Sequence, residues 1–240
     1  MRETNKKTAD EKLMGSDLNS SANCSLSIDL APSNPYHLRL SNPVIVASGT
    51  FGYDGYGRGL TDDMDLSALG AVLPKTVTRK PREGNPEPKW YPESFRAAWE
   101  AGDQLFLNSI GLTNPGIDAA LNELAPVWDA WQATVLLSFS ADSVREFAEM
   151  ATLTQGVAGF QAIELNLSCP NVEAGALFSH SVELTYDAVT AVKANTGLPV
   201  LAKLAPNVPD ITPFARAAER AGADALTLCN TIPAMRIDTE

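Results

Sequence analysis

Short apolar runs, separated by amphipathic stretches, set the rhythm of this chain. Six runs are nearly continuous in Ala, Val, Ile, Leu and Phe: 43–47, 70–77, 134–139, 160–167, 199–204 and 225–229. Continuous rather than alternating hydrophobicity predicts strands covered on both faces, as in a parallel sheet. Between the runs, apolar residues recur at i, i+3, i+4 and i+7, the spacing of a helix face. Val144, Phe147, Ala148 and Ala151 form one stripe, with Ser143 and Glu146 placed as a capping box. Leu184, Ala188, Val189 and Val192 form a second, with Gly197 as its stop. Phe214, Ala217, Ala218 and Ala221 form a third, capped by Asp210 and stopped by Gly222. Ile117, Ala120, Leu121 and Leu124 mark a fourth. Upstream, 26–30 and 37–40 predict a β-hairpin around the turn-rich Pro32-Ser33-Asn34-Pro35.

Strand alternating with helix predicts an α/β fold with a parallel sheet. Two architectures compete, a doubly wound sheet and a (β/α)8 TIM barrel. No Gly-x-Gly-x-x-Gly turn follows the first run, which weakens a dinucleotide-binding sheet. Polar residues instead recur just past the runs: Ser48 and Gly49, Lys75, Asn166 and Cys169, Lys203, Asn230 and Thr231. Barrels take their chemistry from such strand ends. The expectation is therefore a TIM barrel, incomplete, with six of eight β/α units. Residues 1–24 are expected to form a polar, disordered leader, and 25–240 a partial barrel domain. The stretch 78–133 is too long for a plain connection and is expected to be functional.

Charge and cysteine content narrow the function. The net charge is −11, against the basic footprint that nucleic acid or an anionic membrane surface requires. No apolar run approaches the ~20 residues of a membrane span. Three cysteines and two histidines make neither a disulfide framework nor a metal cluster. A reducing cytoplasm is the expected compartment.

The stretch Glu164-Leu165-Asn166-Leu167-Ser168-Cys169-Pro170-Asn171 carries the densest chemistry. Cys169 reads as a small buried side chain, a nucleophile or a general base. Neither His37 nor His180 falls at a strand tip to activate a nucleophile, which favours the base. Lys75 and Lys203, at two strand ends, read as surface lysines or as a paired cationic site for an anion. Asn108, Asn166, Asn171 and Asn230 suit turns, and equally suit the edges of a planar polar ring. Residues 47–50 read as a plain turn or as one that lets backbone approach a flat ring. Cys229, inside the sixth run, is expected in the core.

Five motifs in order resemble the class 1 dihydroorotate dehydrogenases. They are Lys75 with Arg82-Glu83-Gly84-Asn85-Pro86-Glu87-Pro88, Asn108-Ser109-Ile110-Gly111-Leu112, Asn166-Leu167-Ser168-Cys169-Pro170-Asn171, Lys203-Leu204-Ala205-Pro206-Asn207 and Asn230-Thr231. The turn Ala47-Ser48-Gly49-Thr50-Phe51-Gly52 looks most like the NAD-linked 1B subtype. The resemblance implies an FMN-containing barrel that oxidises dihydroorotate to orotate in pyrimidine synthesis, with Cys169 as the base. It assigns Lys75, Asn108, Gly111, Leu112, Asn166, Asn171, Asn230 and Thr231 to substrate. It assigns Ala47, Ser48, Gly49, Lys75, Asn166 and Lys203 to FMN. A separate subunit carrying FAD and a [2Fe-2S] cluster is implied as partner, around a homodimeric core of a heterotetramer. Lys89 departs from the family's arginine and cannot reproduce a bidentate contact. Barrel phosphate sites are commonly built after the last two strands, so this stretch alone is expected to hold FMN weakly or not at all. A dihydropyrimidine dehydrogenase-type subunit shares the Asn-Leu-Ser-Cys-Pro loop but resembles this chain less at Asn171. An inactive remnant is the remaining alternative.

Overall fold

A computed structural model describes residues 25–54, 64–92, 94, 96, 99–100, 102, 106–168, 170–171 and 176–237, the segments 170–171 and 176–177 by backbone alone. The predicted leader and Cys169 lie outside the described residues. The N-terminal strands β1 (Ile28–Asp29) and β2 (Arg39–Leu40) pair antiparallel. Six parallel strands then follow the six apolar runs: β3 (Ile45–Val46), β4 (Ala71–Val72), β7 (Leu136–Phe139), β8 (Ala162–Asn166), β11 (Val200–Lys203) and β12 (Ala225–Thr227). They neighbour one another in chain order, β4 meeting β7 through bridges at Val72–Val135 and Val77–Phe139. A doubly wound sheet reverses its strand order part-way, and no reversal occurs among these six. The second run pairs for less of its length than predicted, because Pro74 has no N–H to give the ladder.

The sheet curls. In a flat sheet, with strands about 4.8 Å apart, β3 and β8 would be separated by roughly 14 Å. Yet Ser48, just past β3, donates to Glu164 of β8 at 3.0 Å, and Thr227 of β12 reaches the same carboxylate at 3.0 Å. Side chains of β7, β8, β11 and β12 alternate between two environments, as strand geometry requires. Leu137, Phe139, Ile163, Leu165, Val200 and Ala202 face the helices and form the main core. Leu136, Ala162 and Leu201 face inward and pack against Ala31, Leu38 and Leu40 of the N-terminal hairpin. That hairpin plugs the N-terminal end of the strands and leaves the C-terminal end for chemistry. Asp224 ties it down: its carboxylate accepts from Val200 N (2.8 Å), Lys193 Nζ (2.8 Å) and Asn34 Nδ2 (3.3 Å).

Helix α1 (Ile117–Ala119) runs through a π-turn, Ala120–Leu124, into α2 (Ala125–Asp129). Helices α3 (Val144–Leu153), α4 (Val182–Lys193) and α5 (Thr212–Arg220) cover the convex face. Ser143 caps α3 as expected, accepting from Glu146 N at 3.2 Å, and Glu146 answers with Asp142 N at 2.6 Å. Phe147 is fully buried between Phe178 (5.1 Å, edge to face) and Phe139 (6.1 Å). Burying such a ring stabilises by roughly 1.5–3 kcal/mol. Two helix ends differ from expectation. Helix α4 closes at Ala194 rather than Gly197, its last carbonyls taken up by the Ala194 N–H and the Asn195 side chain. Asp210 does accept from Thr212 N (2.9 Å), but the backbone cap of α5 is Ile211.

Cys229 corrects a core expectation, because it is exposed. Among the described residues the strand before it, β12, pairs with β11 alone in the sheet, and Leu228 beside it is 67% exposed. An apolar run is buried only where something covers it.

Candidate active site

A cavity of about 830 Å³ opens at the C-terminal ends of the parallel strands. That lies within the ~300–1,000 Å³ usual for small-molecule and cofactor sites. Ser48 and Gly49 come to it from the turn after β3, and Lys75 and Thr76 from the segment after β4. Asn166 and Ser168 come from the end of β8, Lys203 from the end of β11, and Asn230 and Thr231 from beyond β12. The stretch 78–133 contributes Trp90, Asn108 and 109–112 to the rim. Of the residues predicted from sequence, ten therefore share one cavity. Ala47 does not line it; its carbonyl accepts from Thr50 N (3.2 Å) and closes the turn. Asn171 pairs through its backbone with Ala176 in a short hairpin of β9 (Pro170–Asn171) and β10 (Ala176–Leu177). Cys169 follows the cavity-lining Ser168 directly in sequence.

The rim is fixed by a polar scaffold. Strands β5 (Trp90–Tyr91) and β6 (Leu107–Asn108) pair antiparallel and hold Asn108 at the edge of the cavity. Arg82 clamps both oxygens of Asp142 at 2.7 Å, which roots the Arg82-to-Pro88 motif on the loop after β7. Asn114, 5% exposed, accepts from Thr78 N (3.0 Å) and Gly116 N (2.8 Å) and donates to Leu112 O (2.7 Å). Gly111 (φ +72°) leaves no room for a side chain, since a Cβ there would sit 2.5 Å from Asn85 N. Leu112 follows it, also left-handed at φ +55°, a conformation that costs a residue with a large side chain.

Glu164 is the site's hidden member. It is 1% exposed and lies on the concave face of β8, below Asn166. Its Oε1 accepts from Ser48 Oγ and Ser138 Oγ, and its Oε2 from Thr227 Oγ1, each at 3.0 Å. Lys203, 6% exposed, donates to Ser48 Oγ at 3.1 Å and holds its ammonium 3.8 Å from Glu164 Oε1. The network continues from Ser138 to Thr76 Oγ1 (2.9 Å) and, at 3.5 Å, to Asn166 Nδ2. Glu164 was not among the residues picked from sequence. The signal was a carboxylate inside an otherwise apolar strand, where acidic residues rarely lie buried unless paired.

Among the described residues, Lys75 and Lys203 are the charged ones lining the cavity. Burial first, and then the Lys203 ammonium, pull the Lys75 pKa below the ordinary lysine value. With Glu164 offsetting one lysine, the site keeps, among the described residues, one uncompensated positive charge in a chain of net charge −11. That is a local setting for an anion. At Gly49 the turn adopts φ +92°, and a Cβ would point at Lys75 Nζ, 3.8 Å away. Glycine keeps this wall bare, so that a flat ring can approach the backbone. The turn, the two lysines and the carboxamides together fit an anionic planar cofactor such as FMN.

The profile of the dihydroorotate dehydrogenase family matches residues 31–240. The chain belongs to that family. A curated relative from Desulforudis audaxviator, the catalytic subunit of dihydroorotate dehydrogenase B (NAD(+)), is 44% identical over 204 residues. Subunits of the same name from Caldicellulosiruptor saccharolyticus and Geobacillus kaustophilus are each 40% identical over 204 residues. Each alignment covers 85% of this chain and 61–63% of the relative, so the chain spans under two thirds of their length. Membership in the dihydroorotate dehydrogenase family implies a TIM barrel, which accords with the curled parallel sheet. Among the described residues no helix is long and apolar enough to cross a membrane, and no His, Cys, Asp and Glu cluster suits a metal.

Proposed function

We propose that this chain supplies the site at which dihydroorotate is oxidised to orotate, as part of an FMN-dependent TIM-barrel enzyme of pyrimidine synthesis. The observation that carries the reading is the convergence of Lys75, Lys203, Asn166 and Asn230 on one cavity at the strand tips. Ser48, Gly49, Lys75, Asn166 and Lys203 would hold FMN, with Ala47 shaping the turn. When bound, FMN supplies the two-electron acceptor for the hydride leaving substrate C6. Lys203, braced from below by Ser48 and Glu164, places a fixed positive charge where negative charge accumulates. Lys75 neutralises an anionic group, and the carboxamides of Asn108, Asn166, Asn171 and Asn230 orient the ring. Gly111, Leu112 and Thr231 close the pocket around it. Cys169 removes the proton from C5, a role that a thiol, with a free pKa of about 8.5, suits once the thiolate is favoured.

The relatives named as catalytic subunits of an NAD(+) enzyme support a partner that passes electrons on to NAD, here a subunit carrying FAD and [2Fe-2S]. A homodimer of catalytic chains at the centre of a heterotetramer, in the cytoplasm, completes the proposal. The test is anaerobic bleaching of FMN by dihydroorotate, compared with bleaching by dihydrouracil as the alternative substrate. Fast bleaching by dihydroorotate, slowed by at least ~100-fold in Cys169→Ala near neutral pH, supports the reading. Equal rates with dihydrouracil would replace the substrate, and an unchanged Cys169→Ala rate would remove the base.

A further inference from the structure

A carboxamide offers a donor on one side and an acceptor on the other. Which side of Asn166 faces the cavity therefore decides what ring edge it takes. Backbone N–H groups can only donate, and two of them settle the orientation. Ser168 N lies 3.3 Å from Asn166 Oδ1, and Thr231 N lies 2.8 Å from Asn230 Oδ1. The Ser168 hydroxyl joins the two amides: it donates to Asn166 Oδ1 at 2.6 Å and receives Asn230 Nδ2. Asn230 Nδ2 also donates to Asn166 Oδ1 at 3.0 Å. The oxygen of Asn166 thus collects three donors. Its amino group has a long contact, 3.5 Å, to Thr76 Oγ1.

We infer that Ser168 is a positioning residue that locks Asn166 with its amino group toward the cavity, through a brace completed by Asn230. The edge that Asn166 takes is accordingly a hydrogen-bond acceptor, a ring carbonyl oxygen. A ring presenting an N–H at that point would meet a second donor and be refused. This selectivity rests on the proposed use of the cavity for a planar carboxylated pyrimidine, whereas the brace itself does not.

Side-chain amide exchange, followed by NMR on the full chain with asparagine-selective labelling, tests the brace without any ligand. Asn166→Asp and Asn230→Asp assign the two NH2 pairs by their disappearance. In the unmodified protein the Asn230 pair exchanges slowly, because both its hydrogens are bonded. Ser168→Ala speeds its exchange by about tenfold and weakens orotate binding by about tenfold, the loss of one hydrogen bond. Ser168→Thr, which keeps the hydroxyl, restores both, a rescue that loss of packing would not show. Unchanged exchange and orotate affinity in Ser168→Ala overturn the inference. Should Ser168→Ala fail to fold, a rapidly exchanging Asn230 pair in the unmodified chain overturns it equally. Amide changes as expected, with no orotate binding by the unmodified protein, would sink the proposed substrate and leave the brace standing.

Discussion

Glu164→Leu should destabilise this chain far more than its single side chain suggests. The carboxylate is 1% exposed and answers three hydroxyls and one ammonium. Removing it strands Lys203 in the interior with the Ser48 hydroxyl as its bonded neighbour, and with Lys75 as a like charge across the cavity. Breaking a buried pair from one side typically costs about 3–5 kcal/mol, because the remaining charge is uncompensated. Whole domains are stable by only ~5–15 kcal/mol, so the variant should lie near the edge of folding. For a chain of this size the loss corresponds to roughly 6–20 °C in Tm.

Removing both charges should cost much less. In Glu164→Leu/Lys203→Met no charge is stranded, and apolar side chains of similar size fill the space, an exchange that is often near neutral. Urea titration of the wild type, both single variants and the double variant measures the coupling directly. The expected coupling is at least about 2 kcal/mol, with m-values unchanged. If the two single losses add to within about 0.5 kcal/mol, the 3.8 Å approach is not an energetic pair. The hydroxyls alone would then account for Glu164.

Three other outcomes follow from the same geometry. The lowered Lys75 pKa means that the unfolded chain binds this proton more tightly than the folded one. Stability should therefore rise as pH climbs through the window between the lowered value and 10.5, and Lys75→Met should abolish that increment in paired urea titrations. Asn114→Ala leaves the buried N–H groups of Thr78 and Gly116 without their acceptor, at about 1–3 kcal/mol each, and proteolysis should then open the 78–133 stretch first. Gly49→Ala meets a left-handed backbone at φ +92° and should cost about 1–2 kcal/mol, while calorimetry shows weaker FMN binding.

Much of this architecture was legible in the order of apolar runs. All six runs became parallel strands, and seven of the residues named just past them line the cavity, joined by Asn108, Gly111 and Leu112 from the 78–133 stretch. Extent was harder to read than position. Pro74 cuts the second strand short, since a ladder needs an N–H that composition does not weigh. Cys229 and Leu228 look like core in one dimension and are exposed in three, because burial depends on which neighbours a strand has. Glu164 escaped for the opposite reason. A lone carboxylate in an apolar run is ambiguous until its partners appear, and those partners come from residues 48, 138, 203 and 227, far apart in the chain.

The placement of Glu164 also explains why the interior is built against stability alone. Barrel interiors are commonly layered with bulky branched side chains. Here the inward positions above the hairpin plug are Ser138, Glu164, Lys203 and Thr227, and Glu164 does not itself line the cavity. A buried ion pair is weak evidence of stabilisation, since apolar residues of similar volume often do as well or better. The layer must therefore serve what lies directly above it. Lys203 and Ser48, the two residues it holds, both face the cavity, and Ser138 carries the network through Thr76 to Asn166. A lysine on a flexible stem cannot place charge accurately unless something fixes its end. Glu164 and its hydroxyls do so from below, without exposing a negative charge to the anion proposed for the site.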